Sequence, residues 1–297
     1  MAEKELIVYV NGEFKPQSQA TISVFDRAIS YGDGVFDTLV AKNGYVFKID
    51  EHLERLFCSA KAVKIEIQKT RAEIKNLIVQ AIRRNALRDC YVKIVVTRGV
   101  AWIPLMSSKE EPATTLIIFV SRPVGVVSEE KIRKGAKLLS TTIKRTHPES
   151  LDPRIKSVNY QANVLMRREA VEGGADEAVS YGFDGYVAEG GGDNIWLVKK
   201  KVLMTPGHGV LEGITRETVL EIAKQLGYTA ITANLNRFDL YQADELFLSS
   251  TAGGIIPVIE VDRRTIGSGT PGPITKQVQE SYIEMLEKGI HGTPVYE

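Results

Sequence analysis

The stretch Ser121-Arg-Pro-Val-Gly-Val-Val-Ser128 constrains this chain most, because proline and glycine break every periodic pattern there and no long amphipathic segment crosses it. It divides 297 residues into two parts of domain size. Before it, strand-like runs at Leu6 to Val10, Tyr91 to Thr97 and Thr115 to Val120 alternate with helical periodicity over 51–63 and 71–87, where Ile74, Leu77, Ile78 and Ala81 recur on one face. That pattern predicts an α+β unit. After it come short strand runs at Ala136 to Ile143, Glu177 to Tyr181, Asn194 to Val198, Lys201 to Met204, Glu245 to Ser249 and Val258 to Val261, with helices near 159–173, 216–226 and 274–287. Turns such as Phe183-Asp-Gly185 between short strands predict a mostly antiparallel or mixed, barrel-like sheet. The fold class is therefore α+β, with a small domain over 1–120, a linker over 121–130 and a larger domain over 131–297.

A hydrophobic content of 43% with 25% charged residues is that of a globular chain able to bury a core. The formal net charge of +1, with both signs scattered, excludes the clustered basic footprint of a nucleic-acid or membrane-surface protein, so the expected partners are small molecules. Met-Ala-Glu-Lys-Glu-Leu-Ile-Val-Tyr-Val at the start reads as a first strand, not a signal peptide, and no apolar run approaches the roughly 20 residues of a membrane span. Cys58 and Cys90 have no metal-ligand neighbours in sequence; they read as buried free thiols of a cytoplasmic protein without a metal.

Two segments carry chemistry. Lys156 stands in Asp-Pro-Arg-Ile-Lys-Ser-Val-Asn-Tyr (152–160), and Glu189 opens Glu-Gly-Gly-Gly-Asp-Asn (189–194). A lysine able to lose its proton can form a Schiff base, and a carboxylate can keep a pyridine nitrogen protonated, so the pairing points to pyridoxal phosphate. Each residue alone competes with the reading of an ordinary solvated charge, since the chain has 38 Lys plus Arg and 37 Asp plus Glu. The glycines at 190–192 lack the Gly-x-Gly-x-x-Gly spacing, which excludes a dinucleotide loop. Gly213-Ile-Thr-Arg-Glu-Thr-Val-Leu220 reads as a helix start whose N–H groups suit a phosphate; Thr215 is either its N-cap, a phosphate contact, or both. Tyr160 is placed to tune the cofactor or to pack in a core, and His52 reads as packed or solvent-facing, not as a base.

With Val-Asn-Gly-Glu-Phe (10–14), Ser-Tyr-Gly-Asp-Gly-Val-Phe (30–36), Glu-His-Leu-Glu-Arg-Leu (51–56), Leu-Glu-Gly-Ile-Thr-Arg (211–216) and Ala-Asp-Glu-Leu-Phe-Leu-Ser-Ser-Thr-Ala (243–252), these segments resemble, in order, the class IV aminotransferases of fold type IV. Among them the chain is most similar to branched-chain amino acid aminotransferases. The resemblance implies pyridoxal 5'-phosphate held by Arg55, Lys156, Tyr160, Glu189, Ile214, Thr215 and Thr251, with Lys156 catalytic and Arg55 the phosphate cation. It implies a substrate pocket of Tyr31, Phe36, Thr38, Tyr91 and Lys93, with backbone amides of Thr251 and Ala252 on the substrate carboxylate. A homodimer or larger homo-oligomer follows, because that family builds its pocket with an aromatic residue of a neighbouring subunit. The implied reaction moves an amino group between branched-chain or other apolar amino acids and 2-oxo acids.

Three departures bear on substrate. Phe36-Asp-Thr-Leu-Val40 and Tyr91-Val-Lys93 lack two arginines that the family would place on a distal carboxylate, so 2-oxoglutarate is expected to bind poorly unless Lys93 or Arg98 receives it. Ser250-Thr-Ala-Gly-Gly-Ile255 and Pro271-Gly-Pro-Ile-Thr-Lys276 resemble (R)-selective amine transaminases, and Thr38 with Lys93 resembles aminodeoxychorismate lyases. Arg55→Ala is expected to weaken cofactor retention far more than the apo-protein.

Overall fold

The structure is a computed structural model and describes residues 5–101, 106, 112–123 and 127–296. It divides into two compact units, one of Met1–Val124, Ile155–Asn159 and Leu286–Glu297, the other of Gly125–Arg154 and Tyr160–Met285.

The first unit holds strands β1 (Ile7–Val10), β2 (Glu13–Pro16), β3 (Gly34–Lys42), β4 (Tyr45–Phe47), β5 (Cys90–Thr97) and β6 (Thr115–Ser121), and helices α1 (Arg27–Tyr31), α2 (Ile49–Ala62) and α3 (Arg71–Asn85). A further short strand, Gly292–Pro294, leads the sheet order, followed by β4, β3, β5, β6, β1 and β2, every pairing antiparallel. Alternation decides which face is core: Val35, Leu39 and Ala41 of β3, Val92, Ile94 and Val96 of β5, and Ile118 and Val120 of β6 pack on Leu53, Leu56, Ile74, Ile78 and Ile82 of the two longer helices. The opposite face carries Phe36, Thr38 and Val40 of β3 against Val95, Lys93 and Tyr91 of β5, in that register. Helix α3 begins where Thr70 and Glu73 cap each other reciprocally and ends with Arg83 and Arg84 against its dipole. Its buried stripe of Ile74, Ile78, Ala81 and Ile82 follows the spacing read from sequence.

Strand β3 escaped the sequence reading, because Asp37 occupies a core-facing position between Val35 and Leu39 and interrupts the apolar alternation. The contiguous domain boundaries also differ from the observed units. Strand β4 pairs with β3 only at Ala41 and Lys42, which leaves the edge of residues 34–36 open, and residues 156–158 fill it. Phe36 N–H donates to the Lys156 carbonyl at 2.9 Å and Val158 N–H to that of Gly34 at 3.0 Å. The observed cut falls at Val124, inside the expected linker, of which residues 124–126 lie outside the described residues.

The second unit holds α4 (Glu129–Lys134), β7 (Ala136–Ser140), α5 (Gln161–Glu172), β8 (Glu177–Val179), β9 (Asn194–Lys199), β10 (Val202–Pro206), α6 (Ile214–Gln225), β11 (Thr229–Ala233), α7 (Arg237–Tyr241), β12 (Glu245–Ser250), β13 (Gly254–Val261), β14 (Arg264–Thr265) and α8 (Pro273–Glu287). Its sheet runs β11-β10-β9-β12-β13-β7-β8, with β14 on β13. It is mixed, as expected: β10 with β11, β13 with β7 and β7 with β8 are parallel and the rest antiparallel. The central strands β9 and β12 are buried at almost every position, so they read as continuous apolar runs and not as alternating ones. The Phe183-Asp-Gly185 turn closes a single bridge between Tyr181 and Val187 in place of a full hairpin.

Candidate active site

In the first unit, Lys156 is set by the segment that completes the edge of β3. Its N–H donates to Ser59 Oγ at 3.1 Å, tying the segment to α2 as well as to the sheet. Two residues beyond Ser157, Asn159 Nδ2 donates to the Gly32 carbonyl at 2.8 Å. Gly32 ends α1 at φ 62°, and a Cβ there would meet Asn159 Oδ1 at 2.6 Å, so glycine is needed both for the left-handed turn and for the close approach. The Lys156 ammonium lies 4.8 Å from the Phe36 ring centroid, and Lys93 Nζ lies 4.5 Å from the same ring. Burial first, and Lys156 second, lower the pKa of Lys93. Burial also pushes the Tyr91 hydroxyl up, so it is neutral near pH 7. Phe36, Thr38, Tyr91 and Lys93 thus share one sheet face in the same unit as Lys156, while Tyr31, 40% exposed, closes α1.

Beneath that face lies a buried charge cluster. Asp37 is fully buried, and its carboxylate accepts from Arg55 Nε at 2.9 Å, Arg55 NH2 at 2.8 Å, His52 Nδ1 at 2.8 Å and the Thr38 N–H at 2.7 Å. Burial alone would raise its pKa, but the Arg55 and His52 contacts outweigh it and hold the carboxyl well below the usual range. Burial lowers the pKa of His52 against the pull of Asp37, so the ring is a neutral donor, in keeping with a packed histidine. Arg55 is therefore a partner in a buried ion pair whatever else it binds. This corrects the expectation that Arg55→Ala would largely spare the apo-protein, because the substitution strands a buried carboxylate.

Arg98, the other candidate for a distal carboxylate, is engaged within the first unit: Nε donates to Asp33 at 2.7 Å, NH1 to the Lys64 carbonyl at 2.8 Å and NH2 to the Val63 carbonyl at 2.7 Å. The following loop lies in part, at 102–105, outside the described residues.

In the second unit, Glu189 is 5% exposed and held on all sides. Ser180 Oγ donates to its carbonyl at 2.6 Å, Arg145 NH2 contacts Oε1 at 2.7 Å, and the Leu211 N–H donates to Oε2 at 3.0 Å. Arg145 NH1 also donates to Asn163 Oδ1 at 3.0 Å, and Asn163 Nδ2 to the Gly191 carbonyl at 2.8 Å, so one arginine fixes both the carboxylate and the glycine loop behind it. Below the loop, buried Glu177 accepts from the Gly191 N–H at 3.3 Å and from Arg167 at 2.6 Å. Burial, reinforced by Asp193, pushes the Glu177 pKa up to about 7.

Helix α6 starts at N-cap Gly213 with no side-chain cap, which corrects the placement of Thr215 as the N-cap: Ile214 and buried Thr215 are its first two helical residues. A Cβ on residue 213 would come within 2.1 Å of Asn194 Oδ1. Thr251 and Ala252 form the turn between β12 and β13, braced by the Gly253 N–H donating to Ser250 Oγ at 3.0 Å. Tyr160 occupies the N-cap position of α5. Sequence reasoning passed over Asp37, Arg145, Asn163 and Glu177. Asp37 alone left a trace, as an acid in an inward strand position. Cys90 is buried, with its thiol pushed up to about 12 by burial, whereas Cys58 is exposed on α2, contrary to the expectation of two buried thiols. No helix is long and apolar enough to cross a membrane, and no group of metal-ligating side chains is found, both among the described residues.

The sequence profile of amino-transferase class IV matches residues 34–261. A putative branched-chain-amino-acid aminotransferase of Methanocaldococcus jannaschii is 39% identical over 292 residues, covering 98% of this chain and 99% of that protein. A D-alanine aminotransferase of Bacillus licheniformis is 33% identical over 276 residues, covering 92% of this chain and 94% of that protein. Among solved structures, a branched-chain amino acid aminotransferase from T.th. with pyridoxamine 5'-phosphate has a TM-score of 0.94 and 33% identity over 99% of both chains. The profile match alone spans well over half of the sequence, and on these grounds the chain belongs to the class IV aminotransferases.

Proposed function

We propose that this protein is a pyridoxal phosphate-dependent aminotransferase that moves an amino group between branched-chain or other apolar amino acids and 2-oxo acids. The observation that carries this reading is the placement of Lys156, pinned by ladder hydrogen bonds beside an aromatic and aliphatic sheet face. The residues present suit the cofactor. An uncapped glycine-started helix of twelve residues with a threonine in its first turn suits a phosphate, and a buried carboxylate paired with an arginine suits a protonated ring nitrogen. When bound, pyridoxal phosphate supplies an aldehyde that takes the amino group and a ring that withdraws electrons from the α-carbon.

In this reading Lys156 removes and returns the proton at the substrate α-carbon. Glu189, oriented by Arg145 and the Leu211 amide, holds a negative charge at the ring nitrogen. Arg55, Ile214, Thr215 and Thr251 bind phosphate, and Tyr160 tunes the ring oxygen. Tyr31, Phe36, Thr38, Tyr91 and Lys93 line the side-chain pocket, with Thr251 and Ala252 at the substrate carboxylate. Apolar side chains fit walls of this kind. The exposed apolar residues Val24, Phe25, Ile29 and Tyr31 in the first unit support a homodimer or larger homo-oligomer. An exposed free thiol at Cys58 suits a reducing, cytoplasmic setting.

Lys156→Ala should abolish the absorbance of the lysine-linked cofactor and lower turnover by at least about a hundredfold, against the 10²–10⁴-fold usual for acid-base groups. Retention of both would overturn the assignment. Assaying L-leucine, D-alanine and both enantiomers of 1-phenylethylamine as donors separates the branched-chain reading from D-amino acid and (R)-amine transfer. Pyruvate release from aminodeoxychorismate would instead mark the lyase, the reading that the cross-strand pair Thr38 and Lys93 favours.

A further inference from the structure

We propose that Asn163 is a positioning residue for this reaction: by joining Arg145 to the carbonyl of Gly191 it makes the guanidinium and the glycine loop one support, which fixes the Glu189 carboxylate for the cofactor's ring nitrogen. The inference rests on reading Glu189 as the partner of that nitrogen. Helix α5 buries Asn163, Met166 and Ala170, so Asn163, only 4% exposed, is the polar member of an otherwise apolar stripe. Burying an amide costs free energy unless both of its ends are bonded, and both are. Their assignment follows from chemistry, because a guanidinium only donates and a peptide carbonyl only accepts. Oδ1 therefore faces Arg145 and Nδ2 faces Gly191.

The contacts around Asn163 close a circuit within the second unit. From the Glu189 carboxylate it passes to Arg145 at 2.7 Å, to Asn163 at 3.0 Å and to the Gly191 carbonyl at 2.8 Å, and the backbone of residues 189–191 completes it. Three further bonds stiffen that backbone: Ser180 Oγ donates to the Glu189 carbonyl at 2.6 Å, the Gly190 N–H to the Asp193 carbonyl at 2.7 Å, and the Gly191 N–H to Glu177 at 3.3 Å. Glycine is needed at 191, since a Cβ there would meet Glu177 Oε1 at 2.8 Å. The Gly191 peptide is thus gripped on both sides, by a helix through Asn163 and by a strand through Glu177. Arg145 has a long side chain whose rotamer freedom is removed only by contacts at its end. Without the amide it keeps its charge but loses one of the two side chains that hold it, so Glu189 loses its fixed orientation and not its ion pair.

The test uses holoenzyme reconstituted with pyridoxal phosphate labelled with nitrogen-15 in its ring. It reads the NMR signal of the ring nitrogen together with kcat and KM for wild type, Asn163→Leu, Asn163→Ala and Glu189→Gln. Leucine keeps the volume and removes both bonds, whereas alanine also opens a cavity, so agreement between them assigns the effect to the amide. Both should move the signal from the protonated toward the unprotonated position and lower kcat about 10- to 100-fold, with KM changed no more than about twofold. Either variant suffices if the other does not fold, as judged by the melting of the holoenzyme. A wild-type signal in a folded Asn163 variant, beside a displaced signal in Glu189→Gln, overturns the proposal alone, even if kcat falls. A wild-type signal in Glu189→Gln overturns the reading of Glu189 as well.

Discussion

A carboxylate buried as completely as that of Asp37 is stable only with its partners in place, and this sets what Arg55 substitutions do. Arg55→Ala should destabilise the apo-protein by about 3 kcal/mol or more in thermal or denaturant unfolding, in addition to weakening cofactor retention. The sign with pH follows from the direction of the shift. Because the folded carboxyl titrates below its ordinary value of 3.8, its contribution is present above that pH and is lost as the pH falls toward the folded value. The gap between wild type and variant should therefore narrow below about pH 4. Lys93 offers a point charge where a guanidinium would offer a bidentate clamp, and Arg98 donates to Asp33 and to the Val63 and Lys64 carbonyls. 2-Oxoglutarate should accordingly show a Michaelis constant about 10- to 100-fold worse than apolar 2-oxo acids, the equivalent of roughly 1.5–3 kcal/mol. Lys93→Arg should improve it selectively. A micromolar constant in the unmodified enzyme that is lost in Lys93→Ala would show that Lys93 already suffices.

Among the elements, the loop carrying Glu189 depends on the strand beneath it. Glu177 on β8 holds the Gly191 amide and Arg167, yet burial and Asp193 keep its pKa near 7. A folded value raised above the ordinary 4.5 means that its contribution is complete below pH 4.5 and is lost as the pH rises through about 7. Glu177→Gln removes that titration. The melting temperature of the variant relative to wild type should shift in the variant's favour between pH 5 and pH 8, by the equivalent of about 3 kcal/mol. A difference independent of pH would show that Arg167 holds Glu177 ionised throughout. Capping is a separate case: Thr70 and Glu73 explain where α3 starts, while α6 leaves its first turn uncapped.

For the whole molecule, the late return of the chain to the first unit is the feature with the largest consequence. Strand Gly292–Pro294 pairs with β4, the Val295 N–H donates to the Gly44 carbonyl at 2.8 Å, and the Val295 side chain is fully buried in the first core. Tyr296 caps the arrangement by donating to the Leu87 carbonyl at 2.7 Å. Truncation after Lys288 should therefore lower the stability of the first unit by several kcal/mol, on the scale of a large core deletion, although Val295 and Tyr296 are remote in sequence from the Gly44 and Leu87 carbonyls they bind. Limited proteolysis of the truncated protein should cut first within the first unit. Preferential cutting in the second would refute the assignment.

Sequence alone placed the helices α2, α3, α5, α6 and α8 to within a few residues, most plainly α3, where a 3.6-residue apolar stripe follows a capping pair, and it placed the central strands from their apolar runs. It also singled out Lys156 and Glu189 as candidates, from residue type and order alone. What only the tertiary structure decided is everything that depends on pairing across distance. Strand β3 is hidden by a buried acid that makes sense only once Arg55 and His52 are beside it. Residues 155–159 join the first unit because an unfilled sheet edge accepts them. That Lys93 shares the sheet face of Phe36 follows from strand register, which a one-residue slip would abolish and which local sequence does not encode.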